Sequence, residues 1–131
     1  MAYKKAFSLL ELIFAIVIIG IISTVAVPKL MDTKANAEVA IIKKDIATIV
    51  SSVRSYYLVN DSLDDFTSAL TLNQNIWEVD GITATFNDNE TPCITISIED
   101  KKLNVIVAND NSGKICEKIK DSGIASTIYE L

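Results

Sequence analysis

At 131 residues the chain is bounded to one small domain. It contains no His, which removes the commonest acid–base group and the commonest zinc ligand, and nothing in its composition asks for a cofactor or metal. The net charge is −5, and from Lys29 onward 10 basic and 16 acidic side chains leave −6, a surface that repels phosphates, so no direct nucleic-acid binding is expected of the isolated chain.

The first predicted element is the apolar stretch 7–27, FSLLELIFAIVIIGIISTVAV, with Pro28 directly after it. Its 21 residues carry one ionisable side chain, Glu11. As a helix it is roughly 30 Å long, enough to cross the hydrocarbon core of a bilayer. Lys4 and Lys5 precede it, and a basic pair there holds that end in the cytoplasm and sends the remainder outward. Three plainer explanations compete. A secretory signal peptide could use Thr24, Val25 and Ala26 as its cleavage site, but its apolar core runs to about 15 residues at most and this one is longer. A plain membrane anchor explains the length but would gain by losing Glu11, since an acid in an apolar span is costly. A buried core helix needs more surrounding protein than the chain supplies.

The segment KKAFSLLEL, running into an apolar helix that ends near Pro28, resembles the N-terminus of type IV pilins and of the pseudopilins of type II secretion and DNA-uptake machines. The resemblance covers about the first fifth of the chain. It implies cleavage by a prepilin peptidase between Ala6 and Phe7, with N-methylation of Phe7 as the new first residue. Ala6 stands where the family usually has Gly. Glu11 matches the family's acidic residue five positions into the mature chain, and Pro28 its helix-kinking Pro. The implied organisation is a leader at 1–6, a transmembrane and polymerisation half-helix at 7–28, and a periplasmic pilin-like domain at 29–131. In a filament, the amine of Phe7 on one subunit would meet the Glu11 carboxylate of the next; in low dielectric that pairing would set the axial register.

Beyond Pro28 there is no further Gly or Pro for thirty residues. Val39, Ile42, Ile46, Ile49, Val53 and Tyr56 recur at steps of three and four, one face of a helix, with Lys43, Lys44, Asp45 and Arg54 off it. One helix is therefore expected from about Phe7 to Tyr57 or the next residue, roughly 75 Å long and weakened near Gly20 and Pro28. Its second half needs a lid for the apolar stripe, and the chain's own C-terminal part is the expected one. Asn60, Asp61 and Ser62 end the helix. Ser62 with Asp65 three residues later is a partial N-cap signature, and Leu63, Phe66 and Leu70 share a face, predicting a short helix near 63–70 that packs the crossover to the sheet.

Over 76–108 the period changes to two. Ile82, Ala84 and Phe86, then Ile94, Ile96 and Ile98 alternate with polar residues, and Leu103, Val105 and Val107 continue the period. Turns are expected at residues 87–89 and 100–102. The reading is a three-stranded antiparallel meander with one apolar face covering the helix stripe, and Trp77 as a core residue at the edge of that interface. The fold class is α+β and pilin-like: a long N-terminal helix on a small antiparallel sheet.

Residues 109–113 form a turn whose spaced oxygens loosely suggest a calcium loop. The full EF-hand pattern is absent, and a solvated turn is the preferred reading. After it come Cys116, the helix-leaning run EKIKDSG and a polar tail to Leu131. Cys93 and Cys116 are the only cysteines and both lie in the part expected to be exported, where oxidising conditions favour pairing. A redox or metal pair is the alternative, without a C-x-x-C spacing to support it. A C-terminal disulfide loop also resembles the pilin family.

No nucleophile–base pair, phosphate loop or metal cluster is visible, so an enzyme is not expected. The resemblance implies a structural subunit that polymerises through its N-terminal helix into a pseudopilus or pilus-like filament for protein secretion or DNA uptake. Its partners would be copies of itself or sibling pilins, the prepilin peptidase, an inner-membrane platform protein and a cytoplasmic assembly ATPase. It would sit in the bacterial inner membrane before assembly. The small single sheet leans towards a pseudopilin. The rival is a membrane-anchored periplasmic binding module that never polymerises.

Overall fold

The structure, a computed structural model, describes residues 6–111 and 113–131. The basic pair Lys4 and Lys5, and Ser112 of the 109–113 turn, lie outside the described residues. The described chain divides into two compact units, parted after Lys34.

The first unit is helix from Leu9 onward, the start of α1 (Leu9–Asn60). Its described residues are all exposed through Lys34, including Leu9, Phe14, Ile18 and Ile22. The expected weak points do not interrupt it: the helix is continuous through Gly20 and Pro28. Pro28 offers no N–H, so the Thr24 carbonyl loses its helical donor. Nearby hydroxyls are satisfied within the helix. Ser23 Oγ donates to the Ile19 carbonyl and Thr24 Oγ1 to the Ile21 carbonyl, each at 2.7 Å. Hydroxyl groups met within the helix suit hydrocarbon surroundings.

The second unit, Ala35–Leu131, holds the core. From α1 it takes Ala35, Val39, Ile42, Ile46, Ile49 and Val53, the stripe that the three-and-four spacing predicts; Tyr56 is half-buried at its end. Each fully buried aliphatic side chain contributes about 1.5–3 kcal/mol. The helix ends at Asn60, and Asp61 turns left-handed at φ 54° while its N–H donates to the Tyr57 carbonyl. The short helix is α2 (Phe66–Ala69), shorter than expected, and its N-cap is Asp65 rather than Ser62. Asp65 Oδ1 accepts the Thr67 N–H at 2.8 Å and the Thr67 hydroxyl at 2.7 Å, while Ser62 Oγ only reaches back to the Asn60 carbonyl. Phe66 is fully buried and its N–H donates to the Gly81 carbonyl, so α2 does pack the crossover.

The sheet has five strands, not three: β1 (Trp77–Asp80), β2 (Thr83–Asp88), β3 (Thr91–Glu99), β4 (Lys102–Val107) and β5 (Thr127–Glu130). They form an antiparallel meander in sequence order. The two added strands are four residues each and lie at the edges. The inward residues pair across strands: Trp77 with Phe86, Phe86 with Ile94, Ile94 with Val107, Ile96 with Val105, Ile98 with Leu103. Ile82 departs from expectation. It sits in the β1–β2 turn and is 38% exposed. The two expected turns are tight. Asn89 and Glu90 join β2 to β3, and Asp100 and Lys101 join β3 to β4, all four at positive φ, as the twist of adjoining strands favours. The first therefore falls later than expected, because Asn87 and Asp88 still pair with Pro92 and Thr91.

Trp77 is wholly buried, deeper than an interface edge, and its Nε1–H donates to Asp45 Oδ2 at 3.0 Å, tying β1 to α1. Its ring meets Phe86 edge-on at 6.2 Å. The last helix, α3 (Lys114–Asp121), closes the unit together with β5, over which Arg54 lies against the Tyr129 ring at 5.5 Å.

Candidate functional site

Two places concentrate chemistry, one in each unit. The first is the N-terminal end of α1. Helix N-termini leave amides without partners. Here Ser8 supplies one: its Oγ accepts the Glu11 N–H at 3.2 Å, while its carbonyl accepts the Leu12 N–H. Ser8 is thus the N-cap, and Ser8-Leu9-Leu10-Glu11 has the spacing of a capping box. Sequence reading passed over Ser8, though that spacing was available to find it. The cap puts Glu11 in the first turn, where a carboxylate is favoured by the helix dipole. Phe7, immediately before the cap, is 78% exposed, and Glu11 is exposed as well. Phe7 and Glu11 are therefore brought to one helix end. Ala6 adjoins them in an irregular, exposed stretch. Pro28 lies much further along the same helix.

α1 is long and apolar enough to cross a membrane by length and composition. Among the described residues, an exposed surface of Leu, Ile, Val and Phe runs from Phe7 to Met31. It is far larger than a scattering of single apolar residues on a soluble protein. Water is a poor environment for it, and lipid or other apolar helices are good ones.

The second place is the C-terminal crosslink. Cys93 on β3 and Cys116 on α3 form a disulfide, with Cα atoms 5.8 Å apart and both side chains buried. That is the pairing expected of cysteines in an exported part, and it leaves neither thiol free as a metal ligand. Asp88 supports it: its Oδ2 accepts the Cys116 N–H at 2.9 Å, capping α3 from a strand 28 residues earlier in sequence. Gly113 opens α3, and a Cβ there would run into the Asp88 carboxylate, so Gly leaves that carboxylate room to cap the helix. Asn111, 4% exposed, is the buried polar residue of the region. Its Nδ2 donates to the carbonyls of Asp88, Thr91 and Pro92, and its Oδ1 accepts the Gly113 N–H at 2.8 Å. Those bonds commit the Asn111 side chain to backbone. Among the described residues no three His, Cys, Asp or Glu side chains gather as a metal site.

Asp65 has its carboxyl held below the usual carboxylate range by the Thr67 backbone N–H and then by the Thr67 hydroxyl. That is the electrostatics of a helix cap.

A family model described as the prokaryotic N-terminal methylation motif matches residues 1–27, about a fifth of the chain. No curated protein and no solved structure matches it.

Proposed function

We infer that this type IV pilin-like, non-enzymatic chain, which carries the N-terminal methylation motif of prepilins, is a filament subunit. In this reading it is held in the inner membrane by α1, cut between Ala6 and Phe7, methylated at Phe7, and then moved from lipid into a helical filament. The observation that carries it is the exposed apolar helix with its single acid beside a capped end. A lipid anchor alone gains nothing from Glu11 at that place. A subunit that leaves lipid does: the cut frees an amine at Phe7, close to where Glu11 stands on the same helix end. Stacking one helix against the next pairs that amine with a neighbour's Glu11. Apolar packing supplies cohesion, and the charge pair allows one register, since a slipped neighbour would leave both charges unpaired in low dielectric.

The implied partners are a prepilin peptidase, an inner-membrane platform protein, an assembly ATPase, and copies of the chain or sibling pilins. The small meander closed by a disulfide suits a domain that works outside the reducing cytoplasm. The machine is a type II secretion pseudopilus or a DNA-uptake or pilus-like filament, with the small domain favouring the pseudopilus. The test is filament yield in cells carrying Glu11→Ala. Loss of filaments with normal membrane levels is expected. Unchanged filaments would refute the role of Glu11. A wild-type chain that remains monomeric with the machinery present would favour a non-polymerising anchored binding module.

A further inference from the structure

We propose that the two flanks of α1 beside its buried stripe are the complementary halves of a lateral contact between copies of this chain. The inference rests on the filament reading above and names the surfaces by which neighbouring globular units would meet.

The flanks follow from helical periodicity. Glu38, Ile41 and Asp45 recur at steps of three and four on one side of the stripe; Asn36, Ala40, Lys43 and Ala47 do so on the other. Each flank borders a cavity. On the first side a cavity of about 310 Å³ is lined by Glu38, Ile41, Ile76 and Phe86. This side is thus an apolar cavity with one carboxylate, Glu38, in its lining. Ile41 is 46% exposed, an apolar side chain that the fold leaves half in water.

On the second side a cavity of about 450 Å³ lies between α1 and α3, with Lys43 and Lys118 on its rim and the buried Val39 and exposed Ala40 in its lining. Lys118 Nζ donates to Asn36 Oδ1 at 3.2 Å, which holds the ammonium on this flank. Asp121 is the acid on that rim. The ammonium groups of Lys43 and Lys118 on this side are opposite in sign to the Glu38 carboxylate on the other.

The two surfaces lie on opposite sides of one helix, so they cannot meet within one molecule. Between molecules the contact is heterologous: the acidic flank of one copy against the basic flank of the next. Such a contact leaves a free half at each end and propagates unless the rotation closes a ring. Opposite charges set which surfaces approach and reject the like-charged arrangement, while Ile41 and Ile76 provide apolar area. The occupant of the first cavity is therefore a second copy of this chain.

The test uses the full-length chain in cells with an active assembly machinery. Glu38→Lys and Lys118→Glu are made singly and together, and a photo-crosslinking amino acid replaces Ile41. The disulfide state and membrane level of each variant report folding. Each single reversal is expected to cut filament yield about tenfold, equivalent to about 1.4 kcal/mol per contact. The double reversal should restore yield, and the Ile41 crosslink should map to the α3 segment of another copy. If the wild type polymerises and needs Glu11, yet folded single reversals polymerise normally and the crosslink maps elsewhere, this inference is overturned and the filament reading stands. If the wild type does not polymerise, both fall.

Discussion

Ser8 and Glu11 stand one helical turn apart at the start of α1, and the Ser8 hydroxyl accepts the Glu11 amide at 3.2 Å. The residue that caps the helix thus fixes where the only acid of the apolar stretch begins its turn. Capping settles local geometry here, and the placement of Glu11 relative to the chain end is what a filament contact would read. Replacing Ser8 with Ala removes the acceptor at a cost of about 1 kcal/mol. Hydrogen exchange of the Glu11 amide in detergent-solubilised protein should rise by about fivefold. Thermal unfolding of the C-terminal unit should stay the same, because Ser8 lies outside its core. Unchanged exchange at Glu11 would mean that the cap does not form.

Asp45 and Trp77 join α1 to the first strand through a bond to a wholly buried indole. Asp45→Ala leaves that N–H without a partner and is expected to lower stability by about 1–3 kcal/mol. Asp45→Asn keeps an acceptor in place and should cost clearly less. Denaturant midpoints of the two variants check the ordering, and equal losses would show that lost packing, not the bond, matters.

Asp88 and Gly113 make a coupled pair around the disulfide. Gly113→Ala pushes a methyl group into the Asp88 carboxylate and breaks its bond to the Cys116 amide, with an expected loss of about 1–3 kcal/mol. Asp88→Ala also costs stability, because α3 loses its cap. On the Asp88→Ala background, however, Gly113→Ala should cost much less than it does alone. Additive losses in the double variant would contradict the close approach.

Asp65 contributes a pH dependence of known sign. Its folded carboxyl titrates below its unfolded value, so its stabilisation is present above the ordinary pKa of about 3.9 and is lost as pH falls through the depressed one. The stability gap between wild type and Asp65→Asn should be flat near neutral pH and narrow in acid. The group lies at the surface, so the effect is small. A gap that widens as pH falls below about 4 would reverse the assignment.

Much of the globular unit was legible because its signals are repeated. Val39, Ile42, Ile46, Ile49 and Val53 announce a helix face five times over, and the alternation through Ile94, Ile96 and Ile98 announces a strand facing it. The two edge strands were not legible, since four residues with Trp77 and Val79, or Tyr129 alone, pointing inward give too few repeats to separate period two from chance. Asp65 took the cap from Ser62 because α2 starts later than the stripe of Leu63, Phe66 and Leu70 suggests. Asp88 could not be found from sequence at all. Its partner is 28 residues away, and only the register of β2 against β3 brings the two together. At the N-terminus, Phe7, Glu11 and Pro28 were read from resemblance, whereas Ser8 was readable from spacing and was passed over in favour of its neighbour's charge.

The central claim is that the apolar helix starts a processed subunit, and the mature N-terminus tests it most directly. Intact-mass and N-terminal peptide analysis of the protein taken from membranes of its own cells should find a chain beginning at N-methylated Phe7, with Cys93 and Cys116 joined. A chain that still begins at Met1, or one that begins beyond Pro28, would contradict the account.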